Sequence, residues 1–469
     1  MIILLGCYIG WIVFSNVIRK YIYSMVDSKV YEMGKSFTEH LINQTRGFEC
    51  KVYSCKTKDG CKLQLFRIIY KGNDADHSNN VSLSPQSTIR YCPSAQQVEE
   101  LLRESEQLSK KPVVVLQHGL LEAMTVFVLH EDSIAFQLAK KGFDVWLVNN
   151  RTSLFGQQHL VSRIHDEVEF WKFSIDEIAK YDMPAIIDFV RNATCQSKIC
   201  WVGMSQGAGQ LFAALSQTEY AHYKNYLSAI VGLSPACFLK KNPESTFLRL
   251  LIKTPSFIFG RREFMLIILI GQLLLPASFL AKGGEYALKL LNIQQKPLPN
   301  HPLKGEWFKN IPLGCTSVNN VVHWLRMLNI GGCLRKFNGI EKYPIDEMLD
   351  RWREVYHSNL SHQQQDKKQQ EYVPPLFVFL GGKDNVIDYE ESIKHFGCCD
   401  SVLVTDETGE HPPKNISTCP GSCPVSNNVR CKILFDPEYG HTDFLWAEPD
   451  AKHQRHYDKV IQFLEEHVQ

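Results

Sequence analysis

The chain predicts an α/β fold: a mostly parallel central sheet with helices on both faces and a helical insertion late in the sheet. Three observations carry this prediction. Short, largely apolar runs at Val113 to Leu116, Asp144 to Val148, Cys200 to Met204 and Ala229 to Leu233 alternate with stretches of helical spacing, and strands buried on both faces belong to parallel sheets. From Phe238 to about Asp350 the alternation gives way to apolar, aromatic, proline-punctuated sequence, after which the apolar runs Leu376 to Leu380 and Lys432 to Phe435 resume it. Finally, Ile199 to Gly209 (ICWVGMSQGAG) joins an apolar run to a helix-compatible one through G-x-S-x-G. Glycines on either side let the backbone turn sharply, so Ser205 would stand above the sheet at a helix N-terminus, where N–H groups can hold a developing oxyanion.

At 469 residues the chain exceeds one typical domain, which suits a large core with an insertion. Ile2 to Ile18 carries no charge and is followed at once by Arg19 and Lys20. The run is slightly short of the about twenty residues of a spanning helix, and it lacks the basic start and small-residue cleavage site of a good signal peptide. It predicts a membrane anchor over 1–20, with a cleaved signal as the alternative. The basic flank favours a cytosolic body, on the endoplasmic reticulum, a lipid droplet or the plasma membrane. Sequons at Asn43, Asn80, Asn150, Asn192, Asn359 and Asn415 argue instead for a glycosylated, secreted or lysosomal one. The 15 cysteines, an odd number without regular spacing, show no disulfide framework.

Residues 21–48 read as an amphipathic linker. The first part of the core, 49–237, opens with two strands in Lys51 to Tyr70 around a turn at Lys58-Asp59-Gly60. Asn73 to Lys111 is a polar surface insertion with a short helix near Ala95 to Leu108. After the strand at Val113 come a helix over Ser133 to Lys141, the strand Asp144 to Val148, and a helix over Ser174 to Arg191 that Pro184 kinks or splits.

Residues 238–356 form a cap. Within it Phe264 to Leu280 is the most hydrophobic piece outside the N-terminus, but Gln272 and Pro276 interrupt it and Arg261, Arg262 and Glu263 abut it. This predicts a cap helix that covers an apolar site or dips into a lipid surface. A polar linker, 357–372, with QQQDKKQQE at Gln363 to Glu371, returns the chain to the second part of the core, 373–469, which closes with a helix from about Ala451 to His467. Cys398, Cys399, Cys419, Cys423 and Cys431 lie near His395 and His411, yet C-x-x-x-C lacks a matching second pair, so no metal site is expected. A net charge of +1 without a basic run argues against a nucleic-acid partner.

A serine hydroxyl is a weak nucleophile near neutral pH and needs a base, which in turn needs an orienting carboxylate. In this fold the three follow the order Ser, Asp/Glu, His, the last two in loops after later strands. After Leu376 to Leu380 two acids compete: Asp384, in the glycine turn, and Asp388, placed to cap a helix starting near Tyr389. Asp384 is preferred as the acid. After Lys432 to Phe435, His441 sits at a loop tip before the final helix and is the candidate base. For the oxyanion, the N–H of Gln206 follows the nucleophile, and Gly119 lets the first strand's loop approach closely, which nominates Leu120 as second donor. His118 is read as packing beside that loop. The chemistry calls for no cofactor.

At these residues the chain resembles the acid lipase family of α/β-hydrolases. The resemblance rests on LQHGLL (Leu116 to Leu121), GFDVWLVNNR (Gly142 to Arg151), FWKFSIDEIAKYDMPAIIDFV (Phe170 to Val190), GMSQG, GGKD and GHTDFLWA (Gly440 to Ala447). NNR, Leu233-Ser234-Pro235, FGRRE (Phe259 to Glu263) and CTSVNNVVHW (Cys315 to Trp324) look most like its membrane-anchored fungal steryl ester hydrolases. The resemblance implies an α/β-hydrolase fold, Ser205 as nucleophile, Asp384 as acid, His441 as base, and Leu120 and Gln206 as oxyanion donors. It implies a neutral-lipid substrate, a steryl ester first and a triacylglycerol second, met at a membrane or lipid-droplet surface. Alternatives are an esterase or thioesterase for smaller acyl groups and a lipid-binding protein that keeps the fold without catalysis. Two departures stand out: Met204, where the family usually has histidine, and Val148 and Thr152, where it usually has glycines flanking Asn-Arg.

Overall fold

A computed structural model describes residues 35–72, 111–153, 158–159, 168–241, 262–264, 271–272, 274–290, 292–310, 316–361, 371–397, 402–404 and 431–468. The predicted anchor over 1–20, the helix near 95–108, the low-complexity stretch at 363–370 and most of the cysteine loop lie outside these residues. Among the described residues no helix is long and apolar enough to cross a membrane, and no group of three or more His, Cys, Asp or Glu is placed to hold a metal ion.

Twelve described strands form two sheets. They are β1 (Phe48–Lys56), β2 (Cys61–Tyr70), β3 (Val113–Gln117), β4 (Asp144–Val148), β5 (Gln158–His159), β6 (Ile199–Met204), β7 (Leu227–Leu233), β8 (Phe238–Leu239), β9 (Gly332–Cys333), β10 (Leu376–Gly381), β11 (Val402–Val404) and β12 (Cys431–Asp436). The central sheet runs β1-β2-β4-β3-β6-β7-β10-β12-β11, with β5 on β2. The β1–β2 and β2–β4 pairs are antiparallel, and from β4 to β11 every pair is parallel. This is the α/β-hydrolase architecture that the sequence predicts.

Alternation of side chains fills two cores at once. Val113, Val115, Trp146 and Trp201 pack on one face, with the helices Met183–Thr194 and Gln206–Leu215. Val114, Leu116, Leu147 and Val202 pack on the other, with Ile134–Lys140 and Ala451–His467. Every residue of β3, β4, β6 and β10 is buried, which is why these strands read as continuous apolar runs.

Two buried arginines are paired with carboxylates. Arg67 donates from Nε and Nη2 to the two carboxylate oxygens of Asp144, both bonds 2.7 Å. Arg151, after β4, grips Asp182 at 2.6 Å and Asp59 at 2.7 Å, tying the β1–β2 turn to a helix across the molecule. Removing one partner of such a buried pair costs about 3–5 kcal/mol, because the other is left uncompensated.

The Ser174–Arg191 helix is split beside Pro184, as expected. Ile175–Glu177 starts as α-helix, Ile178–Asp182 widens into a π turn, and Met183–Thr194 continues with Pro184 in its first turn. The widened turn just before it accommodates a residue that lacks an N–H for the helical ladder.

The cap departs from expectation. Phe264 to Leu280 is not one helix: the chain breaks at Leu275 and Pro276, and a new helix, Ala277–Leu290, begins there. β8 and β9, absent from the sequence reading, pair the start of the cap with the end of the Val318–Ile330 helix. The Ile345–Ser361 helix runs on into the stretch read as linker. One sequon is closed off: Asn150 is fully buried, and its Nδ2 donates to Gln210 at 2.7 Å.

Candidate active site

The parallel strands β3, β6, β7, β10 and β12 deliver their following loops to one edge of the sheet, the carboxyl edge where open α/β sheets bind ligands. Ser205 follows β6 at φ 49° and ψ −114°, a backbone region that costs an ordinary residue of order 1–3 kcal/mol. Surrounding bonds hold it there. Its N–H donates to Leu233 O at 2.8 Å, and its carbonyl accepts from Ala208, Gly209 and Ala236 at 3.0–3.1 Å. The two flanking glycines are required by space: a Cβ on Gly203 would lie 2.5 Å from Ala208 N, and one on Gly207 2.4 Å from Gln117 O.

The three residues chosen from the sequence meet at this edge. His441 Nε2 lies 2.7 Å from Ser205 Oγ, and His441 Nδ1 lies 2.8 Å from Asp384 Oδ2. Because a carboxylate faces Nδ1, that nitrogen carries the proton, leaving Nε2 to accept from the serine hydroxyl. Asp384 is itself fixed, its Oδ1 accepting from Val386 N at 2.8 Å and Ile387 N at 2.9 Å. Asp384 and His441 are 1% and 7% exposed and Ser205 9%. Burial works against charge on the imidazole, but the Asp384 carboxylate, aided by Glu122 and Asp443, outweighs it and raises the His441 pKa above its ordinary value. A base tuned in this direction accepts a proton readily.

The oxyanion candidates lie on two loops beside the serine. Gln206 opens the Gln206–Leu215 helix, so its N–H has no helical acceptor, and Leu120 sits in the loop after β3. Among the described residues neither N–H has a hydrogen-bond partner. Gly119 makes the close approach possible, since an added Cβ would come within 3.3 Å of Ser205 Cβ. The Gln206 side chain is held by the cap: its Oε1 accepts from Trp324 Nε1 at 2.6 Å and Asn320 Nδ2 at 3.1 Å. An indole N–H can only donate, so it fixes which end of the amide faces the cap.

The other residues singled out from the sequence fall elsewhere. Asp388 caps the Tyr389–Phe396 helix, its side chain accepting from Glu391 N. His118 is buried with Nδ1 bonded to Gly119 O at 2.8 Å, and burial lowers its pKa to about 4. Met204 points into the apolar cluster with Leu233 and Phe379. Val148 is buried in β4, and Thr152 bonds Asn150 Oδ1 through its N–H at 2.9 Å. Cys431 is buried, its thiol donating to Phe396 O at 3.0 Å.

Four residues at the site escaped the sequence reading. Asn320 and Trp324 stand one helical turn apart in a largely apolar helix, a spacing that puts two donors on one face. Glu122 is a lone carboxylate in an apolar run. Asp443, two residues past His441, accepts from Gly440 N at 2.7 Å and from the N–H groups of Gln295 and Lys296 in the cap. Thr442 N donates to Ile293 O at 3.1 Å, completing a seam between the His441 loop and cap residues 293–296.

Known families match the same regions. Residues 39–131 match the family described as partial alpha/beta-hydrolase lipase region, and residues 112–261 match the alpha/beta hydrolase fold. The chain is 30% identical over 292 residues to human lipase member J, spanning 60% of this chain and 70% of that protein. It is 27% identical over 443 residues to human lipase member M, spanning 91% and 85% of the two chains. To gastric triacylglycerol lipase of Bos taurus it is 28% identical over 433 residues, spanning 90% and 89%. The sheet order, the strained turn at Ser205 and these matches along most of the length lead to one assignment: the chain belongs to the acid lipase family of α/β-hydrolases.

Proposed function

We propose that the protein is a serine lipase that hydrolyses carboxylic esters of neutral lipids through an acyl-enzyme on Ser205. The observation that carries this reading is the continuous hydrogen-bond line Ser205–His441–Asp384, with bonds of 2.7 and 2.8 Å. Ser205 Oγ attacks the ester carbonyl while His441 Nε2 takes its proton. The carbonyl oxygen becomes an anion between the N–H groups of Leu120 and Gln206. Collapse of the tetrahedral species breaks the bond to the alcohol, which leaves with the proton from His441. Water then adds to the acyl-enzyme by the same steps and frees the fatty acid.

A water-insoluble substrate is supported by the cap. Phe279 and Tyr286 are exposed two turns apart on one face of the Ala277–Leu290 helix, at 62% and 69%, with Leu274 and Leu275 exposed just before it and Lys282 and Lys289 exposed nearby. An apolar face flanked by lysines suits the surface of a lipid phase. The uncharged Ile2 to Ile18 stretch suits attachment to a membrane. In this reading 238–356 is the lid and 49–237 with 373–469 the catalytic core. A triacylglycerol is favoured by the named activity of the gastric relatives, and a steryl ester by the NNR, FGRRE and CTSVNNVVHW motifs.

The test is hydrolysis of emulsified triolein and cholesteryl oleate by the full chain and by Ser205→Ala, alongside labelling with a fluorophosphonate. The expected result is release of oleate from at least one substrate and labelling of the wild type, both absent in Ser205→Ala. Equal labelling or hydrolysis by the variant would reject Ser205 as nucleophile. Preference for short soluble esters over both emulsions would make the protein a small-substrate esterase.

A further inference from the structure

A second carboxylate is buried beside the site. Glu122 is 8% exposed and ends the loop that carries Leu120. Its Oε2 accepts from Gly119 N at 2.9 Å and its Oε1 from Trp446 Nε1 at 2.8 Å. Both partners can only donate, so both oxygens must accept. That requirement matches an ionised carboxylate, whereas a neutral acid would bring a hydroxyl in need of its own acceptor.

The two bonds tie the halves of the site together. Gly119 lies between the Glu122 carboxylate and the nucleophile: a Cβ built there would stand 2.9 Å from Glu122 Oε2 and 3.3 Å from Ser205 Cβ. The bond to Gly119 N closes a tight turn that includes Leu121 at φ 59°, a left-handed conformation that leucine adopts only when held. The direction of the Leu120 N–H depends on that turn. At its other end Glu122 holds Trp446, the last residue of the short helix Asp443–Trp446 that follows His441.

Three acids act on the His441 imidazole. Asp384 comes from the loop after β10, Asp443 from the loop of His441 itself, and Glu122 from the loop after β3. Two cations stand behind the first two: Lys240 Nζ donates to the carbonyl of Asp384 at 3.2 Å, and Lys296 faces Asp443. His118, beside the same loop, is held neutral by burial over most of the pH range.

We infer that Glu122 is a positioning residue for the proposed hydrolysis: through its bonds to Gly119 and Trp446 it aims the Leu120 N–H at the oxyanion and holds the short helix that follows His441. As one of the three acids acting on the imidazole, it also favours the charged form. The inference rests on the Ser205 reading above. Burial raises the Glu122 carboxyl above the usual range, while the Trp446 and Gly119 bonds and the His441 charge oppose that rise.

Two variants test it. Glu122→Gln keeps the shape but turns an amide N–H against one of the two donors. Glu122→Gln with Trp446→Phe removes that conflict and leaves the carbonyl for Gly119, so geometry is restored without charge. For a soluble p-nitrophenyl ester, kcat/KM at the plateau of the pH profile should fall roughly ten- to hundredfold in the single variant, as for one buried donor left unpaired. The double variant should recover at least part of that loss. The base must be neutral to act, so activity rises with pH through the His441 pKa, and loss of a neighbouring negative charge lowers that pKa. The acid limb should therefore move to lower pH in both variants.

An acid limb that stays in place in the double variant would overturn the inference, as would a single variant within twofold of wild type. The double variant alone decides the charge effect if the single variant does not fold. Fluorophosphonate labelling separates this outcome from the parent reading. Labelling that persists in Ser205→Ala rejects the nucleophile, whereas an unmoved limb in a chain labelled only at Ser205 rejects the role of Glu122 alone.

Discussion

The sheet edge and the cap are both rich in apolar residues, yet they dispose of them in opposite ways. In β3, β6 and β10 every side chain is out of water, whereas on the Ala277–Leu290 helix Phe279 and Tyr286 stand mostly in it. Burial at the edge fixes positions to a fraction of an ångström, as a nucleophile and its base require. Exposure on the cap leaves apolar area unmatched among the described residues, which is how a surface meets a second phase. Damage to the edge should therefore affect every ester, and damage to the exposed face only those presented in a lipid phase.

The largest effect that would sharpen this comparison is expected from Asp384→Asn. The amide would leave His441 in the wrong tautomer, and kcat should fall by about 10⁴ on soluble and emulsified esters alike. Steady-state kinetics on both substrate forms checks this, and a loss confined to emulsions would break the comparison. Trp324→Phe tests the seam between the regions. It removes the shorter of two bonds to Gln206 Oε1 while keeping an aromatic ring and the Asn320 donor, and one such bond contributes up to about 1.5 kcal/mol. Roughly a tenfold drop in kcat with KM nearly unchanged is expected on a soluble ester, whereas a cap that only covers the site would leave kcat alone. The smallest effect belongs to Phe279→Ser with Leu275→Ser. Removing two exposed apolar groups should slow hydrolysis of emulsified triolein by about three- to tenfold and leave the soluble ester within twofold. Equal losses on both would refute a surface role.

The same contrast governs what the sequence revealed. Strands buried on both faces announce themselves as apolar runs, and β3, β4, β6, β7, β10 and β12 fall within two residues of the runs read for them. Ser205, Asp384 and His441 were legible because each follows such a run in a fixed order. An apolar stretch in the cap has several physical outcomes, and local pattern does not choose among them: Pro276 marked an interruption, but the new helix from Ala277 and the pairing of β8 with β9 emerged only from the fold. Glu122 was illegible for another reason: its meaning depends on Trp446, 324 positions away. A lone acid in an apolar run signals only that some distant donor must exist.

The seam at Asp443 and Thr442 bears on how such enzymes diversify. Cap residues 293–296 are stitched to the very loop that carries the imidazole, two of their N–H groups donating to the Asp443 carboxylate and Ile293 O accepting from Thr442 N. A cap grafted from a relative to change acyl preference would tear out half of that stitching and displace the proton acceptor with it. Exchange of this segment between relatives is therefore expected to succeed best when the His441 loop is transplanted with it.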